Sequence, residues 1–483
     1  MSDRADARIH GAGESALDAG AREALRARIR AAGARARRSG RQAIASITVP
    51  AEPALDISAA VFASRRPDDR WVCIEQPDRD GHALAGLGEA TRIEARGPDR
   101  FHDVARRCRE LARDAECGDL GGLPPGAGPV FCGGFAFAPS GGASAEWRSF
   151  APAQLVLPEL AILRRGGEAW LTLSAVLDGD EAVDSIADRL ETRLASLRAA
   201  PMPLIDPSPT QAARVAGAAP PEHYEGAVVR ALELIARGEL RKVVLAREVR
   251  VHAGAAIDPA AVFGALREVF PSCFSYCVGT PDATFLGASP ELLVRRDGAR
   301  AQTVALAGTT RRSADPSVDD HLGEQLLHSP KEREEQAIVS ARIEQALKPV
   351  SLWVATADEP MLVKVQNVQH LATPIRAQLR DLVPVVELAG LLHPTPAVGG
   401  EPGARAARLI PELEGLDRGW YAGPVGWTDL AEDGEFCVAL RGGLLRADTA
   451  HLYAGCGIVR DSVPAAELAE SEIKLQTMLP LLA

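Results

Sequence analysis

Four β-prone segments follow one another between residues 274 and 308, and this run limits the possible folds more than any other feature of the chain. They are FSYCVG (274–279), ATFLGAS (283–289), ELLVRR (291–296) and AQTVALAG (301–308). Turns this short join antiparallel strands, because a parallel crossover needs about a dozen residues or more. Long helical patterns alternate with further strands up to the C-terminus. We therefore predict an α+β fold with large antiparallel β-sheets covered by helices.

A Pro-rich stretch, 201–221, is the best candidate for a boundary within the 483 residues. We predict a basic N-terminal helical extension over 1–42, an N-terminal part of the α+β fold over 43–215, and a C-terminal catalytic region over 216–483. A chain this long forms either two domains or one large one. We expect the N-terminal part to complete one compact domain, because a separate C-terminal region would leave a sheet edge uncovered.

Charge and hydropathy exclude several classes of function. A formal net charge of −11 argues against general binding of nucleic acid, whose affinity comes mainly from basic residues. The segment 14–41, rich in Ala and Arg, predicts an exposed helix with a basic face, either a solvated surface or a contact for lipid or nucleic acid. The charged start lacks the apolar core of a signal peptide, and no apolar run is long enough to span a membrane. With eight scattered cysteines and no CxxC pair, we expect a cytoplasmic protein with reduced thiols.

A helix over 330–347 carries two notable carboxylates. In SPKEREEQ, Ser329 is typical of an N-cap, Pro330 of a first helical position, and Glu332 of the reciprocal member of a capping box. Glu335 lies one turn later and shares a face with the apolar Ile338 and its neighbours. A carboxylate aimed into a core needs a cation or a proton.

The last helix repeats this arrangement, because Glu467, Glu470 and Lys474 form a stripe in ELAESEIK. A solvated Glu–Lys pair four residues apart explains Glu470 and Lys474 without any function. Taken together, however, the two helices offer four carboxylates, and hard oxygen ligands suit Mg²⁺. The pattern leaves both a metal site and a solvated surface open.

Other candidate residues are ambiguous from the sequence alone. Lys242 begins the strand KVVLAR, where a lysine is usually solvated, but a buried one would be a candidate general base. Glu291 follows a Ser-Pro turn at the head of a strand and is a candidate acid. The Gly-rich segments LAGTT and YAGCG indicate turns whose backbone N–H groups can approach a carboxylate. His370, in VQHLATPI, is by default a core histidine.

In combination, these segments resemble the chorismate-utilising enzymes, a family that includes isochorismate, salicylate, anthranilate and aminodeoxychorismate synthases. The resemblance covers about residues 221–482. It rests on an ordered series of motifs: KVVLAR, GASPELLV, LAGTTRR, SPKEREEQ, VQHLATPI, LHPTPAVGGEP, RGWYAGPVGW, FCVALRGGLL, YAGCGIV and ELAESEIKLQTML. It implies that the two sheets pack in a sandwich. Before residue 200 the resemblance is loose and rests chiefly on GGFAF.

The resemblance implies a role for each candidate residue. Glu335 and Glu470 match direct ligands of Mg²⁺, supported by Glu332 and Glu467. Lys242 matches the base that deprotonates a water, and Glu291 the acid that protonates the departing C4 hydroxyl of chorismate. The positions that contact the substrate are matched by Gly308, Thr309, His370, Ala397, Tyr421, Arg441, Gly455 and Lys474.

The implied activity is an isomerase that converts chorismate to isochorismate for siderophore or menaquinone biosynthesis. Amine-forming members lack the lysine found here as Lys242, and aminodeoxychorismate synthases carry a nucleophilic lysine in place of Ala307. We therefore expect a monomer with no obligatory glutaminase partner. Ala397 and Val398 favour release of isochorismate, because salicylate synthases have a threonine-containing turn there. The alternatives are a salicylate synthase that also eliminates pyruvate and an inactive binding protein, which would be expected to lose Lys242 or a metal glutamate. One departure is Gln336, where many members have His.

Overall fold

The structure is a computed structural model that describes residues 17–179, 181–206, 212–366 and 368–482. Its helices are α1 Ala19–Ser39, α2 Ile57–Ser64, α3 Arg100–Arg113, α4 Val183–Ala195, α5 Pro221–Ala236, α6 Pro259–Val269, α7 Pro316–His328, α8 Pro330–Leu347, α9 Val385–Leu392, α10 Gly403–Glu414 and α11 Pro464–Leu475. Its strands are β1 Ala43–Pro50, β2 Trp71–Gln76, β3 His82–Leu87, β4 Thr91–Ala95, β5 Val130–Phe135, β6 Ala153–Leu157, β7 Leu160–Arg165, β8 Glu168–Leu177, β9 Arg214–Gly217, β10 Lys242–His252, β11 Phe274–Gly279, β12 Thr284–Ser289, β13 Leu292–Asp297, β14 Arg300–Arg311, β15 Ser351–Thr356, β16 Met361–Lys364, β17 Val368–Leu379, β18 Gly400–Glu401, β19 Pro424–Asp429, β20 Gly434–Val438, β21 Gly442–Arg446 and β22 Thr449–Ile458.

The described strands form two large sheets. The first runs in the order β1-β8-β7-β3-β2-β11-β12-β21-β22-β10-β18, with β9 also paired to β10. The second runs in the order β15-β17-β14-β13-β20-β19-β5-β6-β4, with β16 paired to β17. Neighbouring strands in both sheets are antiparallel, including the consecutive pairs β11–β12 and β13–β14. The predicted α+β fold is therefore confirmed.

Each of the two sheets contains strands from both sides of the segment 201–221. In the first sheet, β2 pairs with β11 from Trp71↔Gly279 to Glu75↔Ser275. In the second sheet, β5 pairs with β19 over the register Val130↔Asp429 to Gly134↔Val425. One buried apolar cluster joins side chains of both sheets, such as Ile74 of the first and Phe131 of the second. The N-terminal strands thus continue the sheets that carry the C-terminal motifs.

Helix α1 is amphipathic rather than fully exposed. Leu25, Ile29 and Ala32 are buried, and the helix packs on β1, β8 and α4. Several of its arginines form ion pairs within the chain, such as Arg26 with Glu191 at 2.9 Å. The prediction of an exposed helix with a basic face therefore holds for one face only, and residues 1–16 of the predicted extension lie outside the described residues.

Among the helices of the described part, none has an apolar stretch long enough to cross a bilayer.

The region 216–483 expressed alone should not fold stably, because β11 and β19 would lose β2 and β5 and expose unpaired backbone groups. Circular dichroism and size-exclusion chromatography of this fragment, with the full chain as control, test the expectation. A soluble fragment that unfolds cooperatively would contradict it.

Candidate active site

One cavity gathers the residues singled out from the sequence. It lies where β10 and β22 of the first sheet approach β14 and β17 of the second, beneath α8 and α11. Its lining includes Glu332 and Glu335 on α8, Glu467, Glu470 and Lys474 on α11, Gly308 and Thr309 on β14, His370 on β17, Gly455 on β22, Glu291 before β13, and Ala397, Tyr421 and Arg441 in loops. Lys242, the first residue of β10, reaches this group through Glu335. The fold thus brings together candidates that are up to 232 positions apart in the sequence, from Lys242 to Lys474.

The predicted capping box at the start of α8 forms only in part. The Ser329 hydroxyl accepts from Glu332 N at 3.4 Å, as predicted for an N-cap. The Glu332 carboxylate does not return to Ser329, whose N–H donates to Leu326 O at the end of α7. Instead, Glu332 Oε2 accepts from Thr309 N at 3.2 Å. Since the Ser329 N–H is already satisfied, Glu332 is free to face the cavity.

Burial and neighbouring charges shift the pKa values of three of the four carboxylates on α8 and α11. Burial, and then the nearby Glu335, raise the pKa of Glu332 to about 7. Burial also raises the pKa of Glu467, with Glu470 adding to the effect. For Glu470, burial alone would raise the pKa, but the ammonium of Lys474, 2.7 Å away, outweighs it and lowers the pKa. Converging carboxylates with raised pKa values are the electrostatic setting that a bound cation stabilises.

The donor set of this cluster suits a hard cation. Cys456 Sγ lies near Glu467 and Glu470, the three ligand atoms being within 4.8 Å of one another. Burial raises the pKa of Cys456 to about 12, and its thiol donates to the backbone oxygen of Glu467 at 3.3 Å. The sulfur therefore stays protonated, and the carboxylate oxygens are the ligands on offer. Mg²⁺ prefers oxygen ligands of this kind.

Lys242 is completely buried, unlike the solvated lysine that is usual at the end of a strand. Its Nζ lies 2.7 Å from Oε1 of Glu335, and it donates no directed hydrogen bond to any described residue. Gly457, opposite Val244 in the β10–β22 ladder, makes room for this contact. A Cβ at residue 457 would lie 2.5 Å from Glu335 Oε1 and 2.9 Å from Lys242 Cε. The amine is therefore aimed at the edge of the carboxylate cluster.

Glu291 is the buried acid of the cavity. Its side chain is 3% exposed. Burial raises its pKa to about 8, although the nearby Lys242 and Thr395 act in the opposite direction. At neutral pH the group is therefore mostly the protonated carboxylic acid, the form that can give a proton.

The opposite wall offers donors for an anion. Burial lowers the pKa of His370 to about 3, with Arg441 adding to the effect, so the ring is neutral. Its Nδ1 lies 3.0 Å from Thr309 Oγ1 and 3.3 Å from Gly308 O, while Nε2 faces Nη2 of Arg441 at 3.4 Å. Because Arg441 can only donate, Nε2 accepts and Nδ1 carries the proton. Arg441 Nη1 is buried without a partner among the described residues, so it is available to a ligand.

The two Gly-rich segments lie within strands rather than in the predicted turns. Gly308 sits at an irregularity of β14 with φ +73°, and a Cβ there would lie 3.1 Å from Glu332 Oε2. Gly455 is in the middle of β22, and its carbonyl accepts from Lys474 Nζ at 2.9 Å. Other groups therefore do approach the backbone of both glycines closely. In this structure those groups are the side chains of Glu332 and Lys474.

Tyr421 and Ala397 complete the wall of the cavity. Tyr421 is buried and its ring stacks on Tyr453 with centroids 5.3 Å apart. Ala397 is half-buried in the loop that follows the Thr395 turn. Gln336, which departs from the family pattern, is buried and donates from Nε2 to Ala305 O and to Thr373 Oγ1, both at 2.9 Å. It therefore anchors α8 to the second sheet, next to Glu335.

Two cations of the cavity were not singled out from the sequence. Lys331 Nζ lies 3.7 Å from Glu467 and 3.9 Å from Glu332. Arg418 also lines the cavity and pairs with Glu414. The spacing of Glu414 and Arg418, four residues apart, was the available signal, but it is common on solvated helices.

Comparison with known proteins identifies the family of the chain. Residues 28–483 match the family model described as chorismate binding enzyme. The salicylate biosynthesis isochorismate synthase of Pseudomonas aeruginosa is 38% identical over 416 residues, 85% of each chain. The isochorismate synthase MenF of Bacillus subtilis is 35% identical over 355 residues, 74% of this chain and 75% of that one.

Solved structures show the same architecture. The menaquinone-specific isochorismate synthase MenF from Escherichia coli superposes with a TM-score of 0.76 at 29% identity, covering 91% of this chain and 95% of that one. Anthranilate synthase component I from Streptococcus pneumoniae shares the fold, with a TM-score of 0.68 at 22% identity over 82% of this chain and 92% of that one. The family match extends over nearly the whole chain, and the resemblance noted from the motifs is confirmed. The chain belongs to the chorismate-binding enzyme family.

Proposed function

We propose that the protein is an isochorismate synthase, an isomerase that converts chorismate to isochorismate. The observation that carries the proposal is the placing of two buried groups at one cavity. Lys242 contacts a carboxylate of the acidic cluster, and Glu291 is held as a carboxylic acid. One group can accept a proton while the other gives one. The names of the similar proteins from Pseudomonas aeruginosa and Bacillus subtilis support the same activity.

We assign Mg²⁺ to the four carboxylates, with Glu335 and Glu470 as direct ligands and Glu332 and Glu467 in support, as the resemblance to the family implies. Mg²⁺ bound there would neutralise the cluster and hold the ring carboxylate of chorismate. The other carboxylate of the substrate is assigned to donors on the opposite wall, chiefly Arg441, whose Nη1 has no partner among the described residues. Neutral His370 packs against that guanidinium and orients it.

The proposed reaction begins when Lys242, acting as the general base, takes a proton from a water. The water oxygen then forms a bond to C2 of chorismate as the ring double bonds shift. The C4–O bond breaks, and Glu291 gives its proton to the departing hydroxyl, which leaves as water. One water is added and one is released, so the overall change is an isomerisation. Such an acid and base each contribute about 10²- to 10⁴-fold to the rate.

The choice of product is assigned to Lys242 and to two small residues of the cavity, Ala307 and Ala397. Ala307 stands where aminodeoxychorismate synthases have a nucleophilic lysine, and Lys242 is the base for water rather than a site for ammonia. No glutaminase partner is therefore required by the proposal. Ala397 favours release of isochorismate over pyruvate elimination, which leaves a salicylate synthase as the second candidate. The product would serve a siderophore or menaquinone pathway; the names of two relatives give salicylate biosynthesis and menaquinone for those proteins.

Purified protein incubated with chorismate and Mg²⁺ should yield isochorismate without pyruvate, as identified by liquid chromatography and mass spectrometry. EDTA and the substitution Lys242→Ala should each abolish the product, because they remove the metal and the base. Salicylate with pyruvate would favour the second candidate. Absence of turnover, even with ammonia added, would contradict the proposal.

The value of kcat should fall as the pH rises through about 8, because Glu291 then loses the proton that it must donate. The decline therefore lies on the alkaline side. A pH–rate profile at saturating chorismate measures it, and Glu291→Gln, which keeps the shape but has no proton to give, should be inactive throughout. A kcat that stays level well above this pH would show that Glu291 is not the acid.

Gly457→Ala should weaken Mg²⁺ binding and lower kcat, because the new methyl group would force apart Glu335 and Lys242. Isothermal titration calorimetry measures the first effect and the product assay the second. Gly403→Ala is the matched control, since a Cβ at residue 403 meets no atom within 4 Å. Equal behaviour of both variants and the wild type would contradict the proposed arrangement.

A further inference from the structure

We infer that the buried pair Glu414–Arg418 takes the place of a strand partner along the open edge of β10, and so positions Lys242 and the Ala397 loop for catalysis. The catalytic part of this inference rests on the proposed function. The pair touches neither of the proposed reacting groups, so its members are positioning residues.

The outer edge of β10 has partners at both ends but not in its middle. Lys242 and Val243 pair with β18, and residues 249–252 pair with β9. Between these short strands, the outward Val244 O and Ala246 N have no partner in a neighbouring strand. Unpaired buried backbone groups are costly, so this stretch of the edge needs hydrogen-bond partners from elsewhere in the chain.

Glu414 and Arg418 supply the missing hydrogen bonds. Glu414 Oε1 accepts from Ala246 N at 2.6 Å, and Arg418 Nη2 donates to Val244 O at 2.9 Å. One carboxylate and one guanidinium thus offer an acceptor and a donor, as the C=O and N–H groups of a neighbouring strand would. The two side chains also bond to each other, with Arg418 Nε donating to Glu414 Oε2 at 3.0 Å.

The same guanidinium fixes the cavity wall. Arg418 Nη1 donates to Val398 O at 2.8 Å, and Val244 N donates to Gly399 O at 2.7 Å. The loop that carries Ala397 is therefore tied to β10 only two residues from Lys242. A displacement of this strand would move both the base and the pocket wall.

The two arginines of the cavity have different roles. Arg418 uses Nε and both terminal nitrogens on protein acceptors, and its guanidinium lies over the ring of Phe137 at 4.1 Å. Arg441, in contrast, keeps Nη1 without a partner among the described residues. Arg418 is thus committed to the protein, whereas Arg441 is available to the substrate.

The test compares Arg418→Lys and Glu414→Gln with the wild type. A lysine keeps the charge but cannot reach two carbonyls and a carboxylate at once. Glutamine keeps an oxygen for Ala246 N but leaves Arg418 without its counter-charge. Arg193→Lys is the control, because Arg193 is equally buried and bonds Asp69 and Glu159 in the N-terminal part of the chain.

Hydrogen exchange followed by mass spectrometry should show faster exchange in peptides that cover 242–248 and 397–400 in both variants. The control should exchange there like the wild type. The value of kcat, per folded protein from circular dichroism, should fall about 10- to 100-fold with little change in KM, as expected when a catalytic group is misplaced. The control should lower the melting temperature and leave kcat unchanged.

Unchanged exchange over 242–248 in both variants would overturn the structural part of the inference. Faster exchange with an unchanged kcat, or an equal fall of kcat in the Arg193 control, would overturn the catalytic part. A wild-type protein that does not convert chorismate would instead refute the proposed function, while the exchange data would still decide whether the pair holds the strand.

Discussion

The burial of several carboxylates in one cavity, lined by residues of α8 and α11, is the constraint on which the site depends. Four glutamates line this cavity, and burial, with a smaller contribution from neighbouring carboxylates, raises the pKa values of Glu332 and Glu467. Two ammonium groups lie beside these carboxylates, on Lys331 and Lys474. A divalent cation would complete this balance, because several anionic oxygens are held close together with few internal donors.

Burial gives chemically similar side chains different tasks. Glu291 and Glu470 are both carboxyl groups of the same cavity. Glu470 has an ammonium at 2.7 Å and its pKa is lowered, whereas Glu291 lacks so close a cation and its pKa rises to about 8. One is therefore an anion suited to hold a metal, and the other an acid suited to give a proton. The sheets keep these environments apart, since Glu291 precedes β13 of the second sheet and Glu470 lies on the helix that covers β22.

Local sequence rules predicted the elements well, since they concern neighbours in the chain. Short turns predicted antiparallel strands, and helix α5 begins at Pro221 and is followed by Gly238, the residue types that favour a helix start and stop. The rules failed where a distant residue decides the outcome. Glu332 fits a capping box, but its carboxylate bonds to Thr309 of another element. The YAGCG segment looked like a turn, yet it is in the middle of β22, because β10 supplies a complete partner for it.

The candidate site could be predicted from the ordered motifs, but the support beneath it could not. Arg418 begins the motif RGWYAGPVGW. Its role, however, depends on Val244 and Val398, which are distant from it in the chain. Helix α1 shows the same limit. Its arginines suggested a basic surface, whereas Arg26 pairs with Glu191 and Leu25 is fully buried. Spacing within a segment reveals which face a residue takes, but not which distant group meets it.

The central claim is that water, activated by Lys242, attacks chorismate at C2 while the C4 hydroxyl leaves with a proton from Glu291. The most direct test is to run the reaction in water enriched with oxygen-18 and to measure the mass of the isochorismate by mass spectrometry. The account predicts one heavy oxygen in the product, located on C2 by fragmentation. An unlabelled product would show that the hydroxyl of chorismate itself migrates, and would contradict the roles proposed for Lys242 and Glu291.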